Sequence, residues 1–315
     1  MTGARVGIDV GGTKCLAVAL DETGQIVAEL RRATPRGPEA LLSELVGIIA
    51  EVVGEVGGVR SLGVGLPGLV TRDGTLVAAP NLVDIRSFEV GRLLRERVEF
   101  EVHIDNDATC ACVGEWRAGV AMGHTEMVMA TLGTGIGGGV VSAGGLLRGA
   151  HGFAGEFGHM VVDPDGPPCP CGRRGCWERF ASGSGLGRLA REAAAAGRLT
   201  RVVELADGDL QAIRGEHVQT AAREGDLDAL RLVDEFARWV AIGLVNLANA
   251  FDPDLLVLGG GLATAPDVYL APIAAAFEAL LYASGSRPLP AVRFATLGEH
   301  AGAVGAAMLV DVHTG

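Results

Sequence analysis

Residues 5–20, RVGIDVGGTKCLAVAL, decide how the chain is expected to fold. An apolar run ends at Asp9-Val10, the turn Gly11-Gly12-Thr13-Lys14 follows, and a second apolar run begins at Cys15, which is typical of strand, glycine turn and strand. The order Gly-Thr-Lys differs from the Gly-Lys-Ser/Thr of a Walker loop, and no helix pattern follows, so a P-loop NTPase is excluded. The turn is a candidate phosphate contact, although a glycine turn alone is more often only a turn.

A second stretch repeats this pattern further along the chain. The apolar run Met127–Leu132 leads into Gly133–Gly139, GTGIGGG, and then into Val140-Val141. The glycines match G-x-G-x-x-G, but a dinucleotide fingerprint must open a helix, and the residues that follow here are of β type. Two such units predict a duplicated α/β architecture in which a phosphate chain is held between the two turns.

The composition is typical of a large α/β protein. The 315 residues, 49% of them hydrophobic, are enough for two domains and a sizeable core. The 48 glycines and only 4% aromatic residues indicate many turns at which a ligand can approach the backbone closely. A formal net charge of −12 with scattered basic residues argues against a nucleic-acid partner.

The N-terminus indicates no targeting segment. MTGARVGIDV enters a strand pattern without the basic, apolar and cleavage regions of a signal peptide, and no later apolar run is long enough to span a bilayer. We therefore expect a cytoplasmic protein with no membrane partner. The six cysteines should be reduced there, and Cys15, Cys110 and Cys112, which lie in apolar surroundings, are expected to be inert buried thiols.

The other three cysteines lie in the loop His151–Arg179, HGFAGEFGHMVVDPDGPPCPCGRRGCWER. Cys169, Cys171 and Cys176 follow His159 in a segment too rich in Pro and Gly for helix or strand, which favours a bound Zn²⁺ that fixes its shape. Three thiolates and one imidazole make the closed four-ligand arrangement of a structural site. A disulfide or free buried thiols are the alternative, but Cys169 and Cys171 are too close together to pair easily.

Two carboxylates flank these ligands. Glu156 and Glu178 are each a short reach from a ligand, so the metal would hold both carboxylates in fixed positions. Fixed carboxylates can accept hydrogen bonds from adjacent hydroxyls of a sugar ring. The second nitrogen of a metal-bound His159 needs an outer partner as well.

A third acidic segment follows a predicted strand. The run Val98–Ile104 leads into Asp105-Asn106-Asp107 and then into a helical pattern. Asp at such a junction is usually a helix cap. Two acidic residues around an Asn exceed what a cap requires, and a carboxylate where a strand ends is well sited to act as a general base. A role as cap alone stays the alternative.

Two further loops are candidates for ligand contact. The strand Leu62–Leu66 ends at Pro67-Gly68, and the loop beyond it could bring Asn81 near a ligand, although loop geometry alone explains these residues equally well. The buried strand Leu255–Leu258 ends at Gly259-Gly260-Gly261 before a helix. This arrangement makes a flat surface on which a planar base could lie.

Together these motifs resemble the ROK family of sugar kinases from end to end, most closely its bacterial ATP-dependent glucokinases. The resemblance rests on Asp9–Lys14, Asp105–Ala108, Leu132–Gly139, Gly155–His159, CPCGRRGCWE and Gly259–Gly261. It implies an α/β, actin-like (ribonuclease H-like) fold, duplicated in two domains with a cleft between them. We expect a small domain of residues 1–108 plus about 300–315 and a large domain of residues 109–299 that carries the zinc loop.

The resemblance also implies a reaction and a role for each motif residue. The reaction is ATP-dependent phosphorylation of glucose to glucose 6-phosphate, with Asp107 as general base and Mg²⁺ near Asp9. The sugar would be bound by Gly68, Asn81, Asn106, Asp107, Glu156, His159 and Glu178, and structural Zn²⁺ by His159, Cys169, Cys171 and Cys176. The nucleotide would be contacted by Asp9, Gly11, Gly12, Thr13, Lys14, Gly133, Thr134, Gly135, Gly137, Gly259, Gly260 and Gly261.

Two departures and several alternatives accompany this interpretation. Pro170 stands where relatives often have Gly, and the segment Asp84–Phe88 lacks a Trp common in relatives. A kinase for another hexose or an N-acetylated hexosamine, or a glucokinase that uses polyphosphate, stays open. A sugar-sensing regulator of the same family is disfavoured, because the chain has no room for a helix-turn-helix before the first hairpin. We expect a homodimer or homotetramer.

Overall fold

The computed structural model describes residues 3–79 and 85–313. The strands are β1 (Ala4–Val10), β2 (Lys14–Leu20), β3 (Ile26–Ala33), β4 (Val59–Leu66), β5 (Leu69–Val70), β6 (Leu76–Ala78), β7 (Arg86–Phe88), β8 (Glu101–Asn106), β9 (Met127–Leu132), β10 (Ile136–Ser142), β11 (Gly145–Leu146), β12 (Leu255–Gly259) and β13 (Ala291–Phe294). The α-helices are α1 (Pro38–Val56), α2 (Val90–Arg95), α3 (Asp107–Ala118), α4 (Glu178–Ala181), α5 (Gly183–Ala195), α6 (Thr200–Leu205), α7 (Gly215–Arg223), α8 (Leu227–Phe251), α9 (Pro266–Leu280), α10 (Ala301–Ala307) and α11 (Val310–His313).

The chain divides into two compact units. The first contains residues 1–125, 138–155 and 296–315, and the second contains residues 126–137 and 156–295. The boundary expected at residue 108 falls at the second residue of α3, whereas the structure keeps the whole helix in the first unit. The physical reason is that α3 and α10 pack together in that unit's core, where Val113 joins Ala303 and Val304.

The first unit is built on a five-stranded sheet with the order β3-β2-β1-β4-β8. The pairs β3–β2 and β2–β1 are antiparallel, whereas the pairs β1–β4 and β4–β8 are parallel. Because parallel strands end at the same edge, this order brings the carboxyl ends of β1, β4 and β8 together. Asp9 aligns with Gly65, and Gly65 with Asp105, at this edge.

Helices cover both faces of this sheet. The apolar stripe of α1, including Leu41, Leu45 and Ile49, packs in one core with Val6 and Ile8. On the other face α10 lies against β1 and β4 so closely that a Cβ at Gly7 or Gly63 would come within 1.9 Å or 1.8 Å of a helix carbonyl oxygen. Glycine is required at both strand positions for this contact.

A buried carboxylate secures the return of the chain into the first unit. Glu115 in α3 is fully buried, and its Oε1 accepts hydrogen bonds from the backbone N–H groups of Thr296, at 2.8 Å, and Leu297, at 2.7 Å. Its Oε2 accepts a further one from Val120 N–H at 2.9 Å. These donors compensate the cost of burying the charge, so α3 is tied to the segment just before α10.

The second unit contains a parallel arrangement of β9, β12 and β13, with helices α4 to α9. The long α8 begins at its N-cap Asp226, whose side chain accepts a hydrogen bond from Ala229 N–H, and buries residues such as Val233, Phe236 and Leu244. The alternation of strands and helices in both units confirms the predicted α/β class.

Two smaller expectations can be compared with the described residues. Cys15, Cys110 and Cys112 are buried, as predicted. Over residues 3–79 and 85–313, no helix has both the length and the apolar character that crossing a bilayer requires.

Candidate active site

The carboxyl edge of the first sheet gathers acidic side chains. Asp9 is the next-to-last residue of β1. Its pKa is raised to about 7, chiefly because the carboxyl is buried and then because Asp107 carries negative charge nearby, while Lys14 acts in the opposite direction. Two carboxylates close together at the ends of parallel strands are suited to attract a cation and to exchange protons near neutral pH.

Asn106 is the residue that caps helix α3. Its Oδ1 accepts hydrogen bonds from the N–H groups of Ala108, at 2.9 Å, and Thr109, at 3.0 Å. Asp107 is the first residue of the helix. Asn106 therefore occupies the N-cap position, while Asp107 Oδ1 accepts a further hydrogen bond of 2.8 Å from Ala108 N–H within the first turn.

The loop after β4 meets this capping residue. Gly68 has a φ of 98°, and a Cβ there would lie 2.2 Å from Ala78 O, so only glycine fits the position. Its carbonyl oxygen accepts a hydrogen bond of 3.0 Å from Asn106 Nδ2. Gly68 and Asn106 are thus in contact, whereas Asn81, also predicted to bind the sugar, lies outside the described residues.

The first glycine turn is closed by its own backbone. Gly11 N–H donates to Lys14 O at 2.9 Å, and the Thr34 hydroxyl donates to Gly11 O at 2.7 Å. Gly12 and Thr13 are exposed between them. The Lys14 ammonium lies 2.7 Å from Glu299 Oε2, so the structure pairs this candidate phosphate ligand with a carboxylate of the same unit.

The second unit holds the predicted metal ligands together. The ligand atoms of His159, Cys169, Cys171 and Cys176 all lie within 4.8 Å of one another. Cys171 Sγ is 3.6 Å from Cys176 Sγ, and Cys169 Sγ is 3.9 Å from His159 Nδ1. A tetrahedron with Zn–S bonds of about 2.3 Å has edges of about 3.8 Å, so the donor set has the size and chemistry of a structural zinc site.

Both predicted carboxylates lie beside this cluster. Glu178 Oε1 is 3.1 Å from Cys169 Sγ, and Glu156 Oε2 is 3.9 Å from His159 Nε2. The pKa of Glu156 is raised, mainly by burial, with His159 lowering it and Glu178 raising it. Both carboxylates therefore lie next to candidate metal ligands.

The cluster is attached to helix α8 through an aromatic residue next to its last cysteine. Trp177 is fully buried, and its Nε1–H donates to the carbonyl oxygen of Trp239 in α8 at 2.8 Å. Phe180 stacks on the Trp239 ring with a centroid distance of 4.0 Å. The loop itself has little regular structure, as predicted: a 3₁₀ turn at Phe157–His159 and isolated bridges precede α4.

The second glycine turn lies next to the metal loop. A Cβ at Gly135 would be 2.8 Å from Glu178 Oε2, so the turn and a candidate sugar ligand are adjacent. Gly133 O accepts a hydrogen bond of 2.8 Å from Gly183 N–H, and Gly137 N–H donates to Thr131 Oγ1 at 3.3 Å. This contact brings the turn to the start of α5.

A cavity of about 600 Å³ opens beside this turn. Of the predicted nucleotide contacts of the second unit, Gly133, Thr134 and Gly261 line it. Gly260, with a φ of 79°, packs against Leu132 and Gly133, and Gly259 ends β12 in contact with Met129 and Thr131. Gly261 therefore lines the cavity, whereas Gly259 and Gly260 pack against β9 and the residue that follows it.

Most of the residues that line this cavity were not predicted as nucleotide contacts. They belong largely to α5, to α7 and to the segment before α7, and include Gly183, Ser184, Gly187, Arg191, Arg214, Glu216 and Gln219. A signal was present in Ser182–Gly187, SGSGLG, because a Ser cap followed by small residues opens a helix to which a ligand can come close. The segment before α7 carries no comparable signal.

The sequence also gave no indication of an ion pair beside the candidate base. Arg148 Nε–H donates to Asp105 Oδ2 at 2.7 Å, and the two side chains are only 13% and 5% exposed. Asp105 lies two residues before the candidate base Asp107. Its partner lies 43 residues away in sequence, a separation across which no local pattern predicts pairing.

Comparison with known proteins agrees with this geometry. Residues 5–313 match the ROK family. The chain is 40% identical over 312 residues to a glucokinase of Streptomyces coelicolor, covering 98% of this chain and 97% of that one. It is 35% identical over 314 residues to an N-acetylmannosamine kinase of Escherichia coli, covering 96% and 97%.

A solved structure extends the likeness to three dimensions. The ROK family glucokinase of Streptomyces griseus, determined in complex with glucose and AMPPNP, superposes with a TM-score of 0.86 at 39% identity, covering 98% of this chain and 99% of that chain. The predicted actin-like α/β fold is thereby confirmed. From its sequence and its fold, the chain belongs to the ROK family.

Proposed function

We propose that this protein is a glucokinase that transfers the terminal phosphoryl group of ATP to glucose and forms glucose 6-phosphate. The observation that carries the proposal is the metal loop, because it places Glu156, His159 and Glu178 together and sets Glu178 beside the glycine turn at Gly135. A sugar ligand next to a phosphate turn is what a sugar kinase requires. The glucokinases of two Streptomyces species, at 39–40% identity, support the same substrate.

Asp107 is the proposed general base. Phosphoryl transfer needs positioning and charge stabilisation more than covalent catalysis. The Asp107 carboxylate accepts the proton of the attacking sugar hydroxyl, whose oxygen forms the new bond to phosphorus as ADP leaves. Asn106 fulfils the capping function at the start of α3, so the Asp107 carboxylate can serve the chemistry.

Glucose selectivity arises from hydrogen-bond acceptors and donors fixed in advance. Glu156 and Glu178 accept hydrogen bonds from sugar hydroxyls, and His159 Nε2 faces the same side as Glu156. A sugar with a displaced hydroxyl would leave one of these groups unpaired, which disfavours it. Gly68 and Asn81 remain proposed contacts, and Asn106 has one Nδ2 hydrogen left beyond its bond to Gly68 O.

With four protein ligands, the proposed Zn²⁺ has no coordination position left for water. The metal is therefore structural and makes the loop rigid. His159, Cys169, Cys171 and Cys176 would hold it. The neighbouring carboxylates then keep their positions because the loop between the ligands cannot rearrange. Glu156 and Glu178 carry out the recognition itself.

The nucleotide is proposed to occupy the cavity beside Gly133, Thr134 and Gly261. Its volume of about 600 Å³ is within the usual range for a ligand of this size. The N-terminal turns of α5 and α7 line this cavity, and the positive end of a helix dipole suits an anionic ligand. Gly11, Gly12, Thr13 and Lys14 are the proposed phosphate contacts of the first unit, and Asp9 would hold Mg²⁺, which neutralises phosphate charge when bound.

One coupled assay tests this proposal. Glucose, mannose, fructose and N-acetylmannosamine are each supplied with ATP and, separately, with polyphosphate. We expect the highest kcat/KM for glucose with ATP. Preference for N-acetylmannosamine, the substrate named for the Escherichia coli relative, would replace the proposed sugar, and preference for polyphosphate would replace the donor. Light scattering of the same sample tests the predicted homodimer or homotetramer.

A further inference from the structure

Asp105 links two segments of the first unit through its two carboxylate oxygens. Oδ1 accepts a hydrogen bond of 2.9 Å from the backbone N–H of Asn106, and Oδ2 accepts one of 2.7 Å from Arg148 Nε–H. Asn106 in turn caps α3 at the residue before Asp107. A continuous series of contacts therefore runs from the Arg148 guanidinium to the start of the helix that carries the proposed base.

The loop after Arg148 is also attached to the first unit. A hydrogen bond of 3.2 Å from Ala154 N–H to Arg148 O joins the two ends of this loop. The Arg72 side chain donates to Gly149 O at 2.6 Å, and Gly152 packs against the backbone of residues 70–72. The residue after this loop is Glu156, a proposed sugar ligand.

We propose that Asp105 and Arg148 form a positioning pair for phosphoryl transfer: they set the orientation of the Asp107 helix start and of the loop that leads into Glu156. This inference rests on the glucokinase function proposed above. Neither side chain contacts the sugar in this account, and both act through their neighbours. Loss of the pair should therefore lower turnover more than it weakens sugar binding.

The physical basis is the burial of the pair. Burial raises the pKa of Asp105, and the Arg148 charge and hydrogen bond oppose this rise. Removing Arg148 alone leaves a buried carboxylate without its charged donor, which is costly and drives local rearrangement. A displacement of about 1 Å at a reacting group can lower the rate by about 10²-fold. Removing both partners eliminates the unpaired charge.

Four variants separate positioning from simple stabilisation. Arg148→Met, Asp105→Asn and the double variant Asp105→Asn/Arg148→Met are measured beside Arg95→Met. Arg95 also binds β8, through Val102 O at 3.2 Å, but at the opposite end of the strand from Asp107. Arg95 is therefore a control arginine that contacts the same strand but lies far from Asp107 along it.

We expect Arg148→Met to lower kcat by about 10- to 100-fold while the KM values for glucose and ATP change by less than about 3-fold. The double variant should be no slower than Arg148→Met, because paired groups are not additive. Arg148→Lys, which keeps the charge without the Nε donor, should give an intermediate kcat. Arg95→Met should stay within about 3-fold of wild type.

Two results would overturn the positioning role. One is a wild-type kcat in Arg148→Met together with a lower melting temperature, which would make the pair structural only. The other is additive losses of kcat in the double variant. If Arg148→Met does not fold, Arg148→Lys and Asp105→Asn decide by the same criteria. A wild-type enzyme that prefers another sugar would refute the proposed substrate, and the four variants would then be compared on that sugar.

Discussion

The proposed base and the metal loop stabilise polar groups in opposite ways. At the start of α3, Asn106, Asp105 and Gly68 form hydrogen bonds among themselves and with the backbone. In the metal loop, the candidate ligands are close together but the segment between them has only short bridges. The first region is therefore determined by the fold, whereas the geometry of the second would be fixed by the proposed Zn²⁺.

This difference separates two kinds of sensitivity. Substitution of Asp107 should change the chemistry and leave the surrounding structure intact, because another residue caps the helix. Loss of a metal ligand should change the structure of the recognition groups and leave the base in place. The following experiments test this contrast, beginning with the largest expected effect.

The largest effect is expected for Asp107→Asn. This variant preserves shape but removes the carboxylate that accepts the hydroxyl proton, so kcat should fall by roughly 10² to 10⁴-fold. Zinc content, melting temperature and glucose affinity should stay near wild type. Glu39→Gln, which removes a carboxylate from the first turn of α1, is the matched control. Near-normal turnover in Asp107→Asn would show that the base lies elsewhere.

A smaller effect on catalysis, but a larger one on structure, is expected for Cys176→Ala. The protein should hold about one Zn²⁺ per chain, and this variant should lose it because one of four ligands is missing. Glucose affinity should then fall by about 10- to 100-fold. Metal analysis and glucose titration measure both. Cys15→Ala, at a buried thiol in the first unit, should retain zinc; a zinc-free Cys176→Ala with unchanged glucose affinity would contradict the proposal.

Two glycines test how tightly the metal loop is packed. Gly175 has a φ of 67°, and a Cβ there would lie 1.5 Å from Asp163 O, whereas at Gly172, with a φ of 87°, a Cβ would meet nothing within 4 Å. Gly172→Ala should cost about 1 kcal/mol from backbone strain alone, and Gly175→Ala about 2 kcal/mol more. Chemical denaturation measures both. Equal costs would mean that the loop relaxes freely.

The smallest effect concerns Asp9 in protein without Mg²⁺ or nucleotide. Its pKa is raised from its ordinary 3.8 to about 7 on folding, so between these values the folded state binds more protons than the unfolded state. Stability should therefore fall as the pH rises from about 4 to 7. Asp9→Asn should show a shallower decline, by about 2.5 kcal/mol, in unfolding free energies measured at pH 5 and pH 7.5. Parallel curves for the two proteins would refute this role of Asp9.

Local patterns predicted the parts of the molecule that depend on local chemistry. The glycine turns, the metal ligands and the strand-to-helix junction at Asp105–Asp107 each lie within a short stretch. The assignment of the cap to Asn106 was missed because Asp and Asn cap about equally well. The Arg148 contact and the contribution of α7 to the cavity depend on residues brought together from distant parts of the sequence. Periodicity and spacing in the sequence carry no information about contacts between such distant residues.

The packing of α10 on β1 and β4 affects how the first unit folds during translation. The first strands of the first unit leave the ribosome early, but the helix that covers Gly7 and Gly63 is made only after residues 126–295. At about 5–20 residues per second, translation of that stretch takes roughly 10 to 35 seconds. Throughout this interval only α3 packs on that face of the nascent sheet, so we expect the N-terminal half of the protein to bind chaperones until α10 is made.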